Sequence, residues 1–238
     1  MPAFGDPSAP PNRQVVPRDR PIVMVGWMRT SSAVSAHGPA NLLSGVRVAA
    51  SPDAAGHGVL VVLNDEIHSA RDVRKTDNNR VDTFVAAEWG ALGVVDADGI
   101  VFRRALIARH TTASELRLPA DLSELPSVAI VADYAGSEAA ALRGYLAAGV
   151  DGVVVQAFGG GRASPAVREA VSEVAEAGVP VVLASRVPEG RGMRPMADPE
   201  RGVLAAGDLP PHRARVLLML ALAQGRTPGE IQRLLDTH

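Results

Sequence analysis

Short apolar runs alternating with helix-patterned segments constrain this chain more than any other feature. Runs at 22–25, 59–63, 128–131, 153–155 and 179–183 are aliphatic apart from Met24 and Pro180, and turn formers follow them: Gly26, Asn64, Asp133, Gly159 and Ser185. Continuous runs of this length suit strands covered on both faces of a parallel sheet. Between them the 3.6-residue period predicts helices over 41–50, 138–148, 165–177, 211–223 and 228–236. Ser164 and Pro165 mark a cap and first position, Gly178 a stop, and Thr227, Pro228 and Glu230 a capping box. Such alternation predicts a doubly wound α/β fold.

The pattern is uneven along the chain. Residues 1–20 hold prolines at 2, 7, 10, 11 and 17 and no apolar period, which predicts a disordered tail. Residues 21–102 contain two core strands and an apolar pair of runs joined by Asp96-Ala97-Asp98-Gly99, a hairpin. That is too little for an independent parallel sheet, so this domain reads as a partial Rossmann-like one. Residues 103–126 lose periodicity and read as a linker. Residues 127–238 hold enough strands and helices, including a short candidate strand at 203–206, for a smaller complete α/β domain with a parallel sheet.

Composition narrows the function. Acidic residues number 26 against 24 basic ones, a net charge of -2, which gives no electrostatic reason to bind nucleic acid or a membrane surface. No apolar run is long enough to span a bilayer, and the first residues lack the pattern of a secretory signal. The cytoplasm is the default location, with a periplasmic or secreted one open if a signal peptide has been lost. There is no cysteine, hence no thiolate chemistry. The six histidines show no ligand spacing, so no metal site is expected.

Of the 24 basic residues all but Lys75 are arginine. A guanidinium stays charged at any accessible pH, so arginine cannot replace a lysine whose amine must give up its proton. Lys75 lies in the most polar stretch of the chain, 64–84, after the carboxyl end of a predicted strand, where open α/β sheets place ligands. Two readings stand. The stretch is a solvated loop whose Asn and Asp side chains bond their own backbone, or Lys75 pairs with a hydroxyl for attack on a carbonyl.

Several segments in order carry a resemblance. Pro21-Ile22-Val23-Met24-Val25-Gly26-Trp27-Met28-Arg29, Ser35-Ala36-His37-Gly38-Pro39-Ala40-Asn41-Leu42, Val61-Val62-Leu63-Asn64-Asp65 and Asp72-Val73-Arg74-Lys75-Thr76 are followed by Asp82-Thr83-Phe84, Leu92-Gly93, Ser185-Arg186-Val187-Pro188 and Ala214-Arg215-Val216-Leu217-Leu218. Together they resemble the bacterial asparaginase/glutaminase family from Pro21 to the C-terminus. The resemblance implies an amidohydrolase acting on L-asparagine or a related amide, without a cofactor, as a homotetramer. In the family a threonine of a Thr-Gly-Gly-Thr-Ile turn is the nucleophile, helped by a Gly-Thr-Asp-Thr motif and a lysine of an Asp-Val-x-Lys-Thr segment. Lys75 matches that lysine. Neither threonine motif occurs in the 238 residues, so the chain reads as an N-terminally truncated member, inactive alone. The alternatives are a non-catalytic oligomerising or ligand-binding paralogue and, more remotely, an amidotransferase subunit with a tRNA-related partner.

The resemblance also places Trp27 and Met28 beside the substrate. Trp27 stands where the family has a small residue, Thr30 where it has proline and His37 where it has aspartate. Trp27 either reshapes the pocket or fills core space. The family's second domain lends an asparagine to the neighbouring subunit's site, and Arg162, after Gly159-Gly160-Gly161, takes that position. Arg162 either binds a substrate carboxylate or is a solvated loop arginine.

Overall fold

The computed structural model describes residues 20–238; the tail expected over 1–20 lies, apart from Arg20, outside the described residues. The chain divides into two compact units between Ser114 and Glu115, within the stretch 103–126.

The first unit contains β1 (Ile22–Val25), α1 (Gly38–Ala50), β2 (Val59–Leu63), β3 (Glu66–Ser69), β4 (Arg74–Lys75), β5 (Phe84–Val85), β6 (Gly93–Val95) and β7 (Ile100–Phe102). Its main sheet has the order β1-β2-β3-β6-β7, while β4 and β5 form a separate ribbon. Only β1 and β2 run parallel; β2–β3, β3–β6 and β6–β7 are antiparallel. The sheet is therefore mixed rather than parallel throughout.

The difference arises at Asn64 and Asp65. Both have positive φ, 52° and 62°, between the paired residues Leu63 and Glu66, the geometry of a two-residue type I′ hairpin turn. β3 has one apolar residue, Ile67, among three polar ones, and a loop reading of 64–84 overlooks it because His68, at 1% exposure, and Ser69 are buried despite their polarity.

β2 is buried at all five positions because both faces of the sheet are covered. Leu60 and Val62 pack with Val48 of α1, Ile67, Leu92 and Val95. Val61 and Leu63 pack with Val73, Ala70 and Phe84 of the segment that carries the ribbon. α1 approaches β1 closely because residue 45 is glycine; a Cβ there would overlap Val25 Cγ1.

The second unit contains β8 (Val128–Ala132), α2 (Ala140–Ala147), β9 (Gly152–Ala157), α3 (Pro165–Glu176), β10 (Val181–Ser185), β11 (Val203–Ala205), α4 (Pro211–Ala223) and α5 (Pro228–Thr237). Its sheet is parallel throughout, in the order β11-β10-β9-β8. Val153, Val155, Val181 and Leu183 form its core with Leu142 of α2 and Val167, Val171 and Val174 of α3. α5 starts with the complete Thr227–Glu230 capping box. Ser164 is the N-cap residue of α3, with Pro165 following it as expected, but the Ser164 side chain makes no capping bond. Its hydroxyl donates to the buried Asp133 carboxylate at 2.9 Å, and its N–H donates to the same carboxylate at 2.6 Å. The hydroxyl donates to a distant carboxylate instead of accepting a backbone N–H of its own first turn.

Candidate functional site

The parallel strands β1 and β2 end side by side, and α1 holds both ends. Asn41 is buried in an otherwise apolar stretch of α1. Its Nδ2 donates to the Gly26 carbonyl at 2.8 Å, and its Oδ1 accepts the Asn64 N–H at 3.0 Å. One amide therefore satisfies a backbone acceptor after β1 and a backbone donor after β2. One turn later, Ser44 Oγ donates to Asp65 Oδ1 at 3.4 Å. The sequence reading assigned no role to Asn41; its signal is an amide at an inward-facing position of an apolar helix.

Trp27 and Met28 follow Gly26 in the loop leaving β1. The Met28 N–H donates to His37 Nε2 at 3.2 Å, which ties the loop to the start of α1. This bond requires a neutral imidazole. Burial, and secondarily the nearby Arg29 charge, push the His37 pKa below its ordinary value. Trp27 is 48% exposed and its ring lies against Gly38, so it does not fill core space.

Lys75 occupies β4, opposite Phe84 of β5. It is exposed, and among the described residues no hydrogen bond or ion pair engages its amine. The ribbon beneath it is firmly built. Thr83 is fully buried; its Oγ1 accepts the Asp77 N–H and donates to the Asp77 carbonyl, each at 2.5 Å. Thr76 donates its N–H and hydroxyl to the Thr83 carbonyl. The Asp77 carboxylate accepts the Asn79 and Arg80 N–H groups at 2.7 and 2.9 Å, which lowers its pKa. Further back along the sheet, His68 Nε2 meets Glu66 Oε2 at 3.1 Å. Burial lowers the His68 pKa, against the opposing effect of Glu66.

In the second unit, Arg162 closes the turn after β9. Gly160 and Gly161 have φ of 71° and 80°, a conformation glycine adopts without Cβ strain. Phe158 donates its N–H to the Arg162 carbonyl at 2.9 Å. The Arg162 side chain is exposed. Arg186, after β10, lies 4.2 Å from the centre of the Phe158 ring, a cation–π contact.

Among the described residues no group of three or more His, Asp or Glu side chains is placed to hold a metal ion, and no helix is long and apolar enough to cross a membrane. The site elements in the first unit are backbone groups at two strand ends and one unengaged amine. Asn41 already engages the Gly26 carbonyl and the Asn64 N–H, and His37 the Met28 N–H, so the exposed Lys75 amine is the group of this set that can exchange a proton with a bound molecule.

Comparisons with known proteins agree in both units. Residues 13–108 match the family model described as asparaginase, N-terminal, and residues 127–235 match the glutaminase/asparaginase C-terminal domain. The chain is 38% identical over 222 residues to L-asparaginase 2 of Escherichia coli, covering 92% of this chain and 64% of that protein. It is 39% identical over 217 residues to L-asparaginase 2 of Bacillus subtilis, covering 91% and 57%. The glutaminase-asparaginase of Acinetobacter glutaminasificans is 38% identical over 224 residues, covering 92% and 67%. The chain thus spans 57% to 67% of the length of these three curated relatives.

Proposed function

The chain belongs to the asparaginase family, and from that premise we propose that its chemistry is hydrolysis of the side-chain amide of L-asparagine, or of a closely related amide, and that these 238 residues do not perform it unaided. The observation that carries the reading is Lys75. It is the only lysine of the chain, it falls in the Asp72-Val73-Arg74-Lys75-Thr76 segment, and its amine is accessible.

In this reaction a hydroxyl attacks the amide carbon and its proton must be removed. The C–N bond then breaks, ammonia leaves with an added proton, and water hydrolyses the acyl ester to aspartate. Lys75 is the proton-transfer residue. A lysine amine can take and give up a proton in such a step, which a guanidinium, charged at any accessible pH, cannot match. The Thr-Gly-Gly-Thr and Gly-Thr-Asp-Thr motifs that the resemblance assigns to attack are absent from the sequence. Removing the nucleophile from such a group abolishes nearly all of its rate enhancement. Trp27 and Met28, held at the end of β1 by Asn41 and His37, line the substrate side of the pocket. Arg162 is the group offered to a neighbouring subunit in a homotetramer. No cofactor takes part.

The test is ammonia release from L-asparagine and L-glutamine, with E. coli L-asparaginase 2 as positive control. The purified chain is expected to release none above background, and measurable release overturns the claim of inactivity. Fusing to the chain the segment of the E. coli relative that lies outside the match is expected to restore release, and Lys75→Met to abolish it. A fused protein that folds and remains active with Lys75→Met overturns the role of Lys75. The second reading, a non-catalytic oligomerising or ligand-binding paralogue, is favoured by Leu42, Leu43 and Val46 of α1, which are 56%, 62% and 58% exposed among the described residues.

A further inference from the structure

The chain contains two Asp-Gly pairs, Asp98-Gly99 and Asp151-Gly152, and no Asn-Gly pair. Of all residues that can follow an aspartate, glycine leaves its backbone nitrogen most open to attack the aspartyl side chain, because it has no Cβ. The fold treats the two pairs in opposite ways.

Asp98-Gly99 lies at the tip of the β6–β7 hairpin, beyond the last paired residues, Val95 and Ile100. The Gly99 carbonyl accepts the Asp96 N–H at 2.8 Å, whereas the Gly99 N–H has no hydrogen-bond partner among the described residues. Among those residues no hydrogen bond or ion pair engages the Asp98 carboxylate either. Asp98 is exposed, and a Cβ on residue 99 would meet no atom within 4 Å. The tip therefore offers a nucleophile, an electrophile and room for a ring.

Asp151-Gly152 is held on both sides. The Asp151 carboxylate accepts the Ser127 N–H at 2.7 Å, and the Asp151 N–H donates to the Ser127 carbonyl at 2.8 Å. Gly152 is the buried first residue of β9, in register with Val128. A Cβ there would stand 3.0 Å from Leu218 Cδ2. Ring closure at this pair requires a local opening of the sheet, and the free energy of that opening slows it.

We propose that Asp98-Gly99 is a site of spontaneous aspartate isomerisation in the folded protein, against which the fold protects Asp151-Gly152. The Gly99 nitrogen loses its proton and bonds to Asp98 Cγ, and one carboxyl oxygen leaves as water, which closes a five-membered succinimide. Water then adds back. Breaking the bond between Gly99 N and Asp98 Cγ restores aspartate, while breaking the bond between Gly99 N and the Asp98 main-chain carbonyl carbon leaves a β-linked residue. One water leaves and one returns, with no co-reactant. The β-linked form adds a methylene to the main chain inside the turn closed by Asp96 and Gly99. It also carries an α-carboxylate, the group that isoaspartyl carboxyl methyltransferases esterify.

The experiment ages the whole folded chain at 37 °C and neutral pH, with a denatured sample beside it, and maps the tryptic peptides 81–103 and 144–162, which hold one Asp-Gly pair each. The expected result is that peptide 81–103 splits into two species of equal mass, with electron-transfer fragmentation placing the β-linkage at residue 98 and the new species accepting methyl groups from an isoaspartyl methyltransferase. In the folded chain conversion at Asp98 is expected to run at least about tenfold faster than at Asp151, and in the denatured chain the two rates converge. Gly99→Ala is the second probe. Residue 99 does not have positive φ and its Cβ position is empty, so this variant is expected to melt as the parent does while conversion at Asp98 falls about tenfold or more, the Cβ crowding the attacking nitrogen. A folded chain in which Asp98 stays intact overturns the proposal. So do equal folded rates at the two pairs, or a folded Gly99→Ala chain that converts as fast as the parent.

Discussion

The Met28 N–H donates to His37 Nε2 across 3.2 Å, so the loop after β1 is fastened by an imidazole that must be neutral at that nitrogen. The proton then resides on Nδ1, which is buried with no hydrogen-bond partner among the described residues. Acidification protonates Nε2 and turns an acceptor into a donor facing a donor. The expected outcome is faster exchange of the Met28 amide, with a change in Trp27 emission, through one transition below the ordinary histidine pKa of 6.5. In His37→Asp the transition moves into the carboxylate range, because a carboxylate accepts until it is protonated. Amide exchange followed by NMR against pH checks both.

Asn41→Leu is expected to cost about 2–4 kcal/mol, because it leaves the Gly26 carbonyl and the Asn64 N–H without their partner in a buried place. Asn41→Asp removes only the donor half and sets a carboxylate oxygen against the Gly26 carbonyl, so it also destabilises. Urea midpoints of the two variants against the parent measure this. A loss below about 0.5 kcal/mol for Asn41→Leu would show that water replaces both bonds.

Features set by neighbours in sequence were legible; those set by distant contacts were not. The Thr227–Glu230 capping box and the parallel runs of the second unit could be read because a cap needs three residues and a buried strand only a run. Ser164 sits at the N-cap as its sequence context implied, but the partner of its hydroxyl, Asp133, is 31 positions away and was not legible. β3 escaped because His68 is polar and yet buried. Lys75 stood out through composition, but no local pattern foretold that its amine would stand exposed on a two-residue strand. The role of Asn41 depends on two strand ends that meet only in the folded sheet.

Acid sensitivity should exceed that of the paired carboxylates alone. His37, His57, His68 and His110 all have pKa values pushed down, in each case chiefly by burial. A histidine with a depressed folded pKa binds fewer protons folded than unfolded. Stability is therefore unaffected well above pH 6.5, the unfolded value, and falls as pH drops below it toward the folded pKa. His68→Leu, at a fully buried position beside Val61 and Ile67, is expected to flatten part of that decline. Guanidinium midpoints at pH 7.5 and 5.5 test it: the parent should lose more between the two than the variant does. Equal losses would mean that His68 titrates alike in both states.

Lys75 and Thr83 offer opposite expectations from the same ribbon. Lys75 is exposed and engages nothing among the described residues, so Lys75→Met should change stability by no more than about 0.5 kcal/mol. Thr83 is fully buried and its hydroxyl closes both the donor and the acceptor of the Asp77 backbone. Thr83→Val keeps the shape and removes both bonds, leaving two backbone groups to be satisfied, at about 1–3 kcal/mol. The loss should be local, since the 76–83 turn is tied to the ribbon through Thr76 and Thr83. Amide exchange at Thr76 and Asp77 is therefore expected to rise by a larger factor than at β2. A melting curve for each variant and an exchange profile for Thr83→Val decide the matter. If Lys75→Met proves the more damaging of the two, the amine contributes to the fold and its exposure cannot be read as readiness for proton transfer.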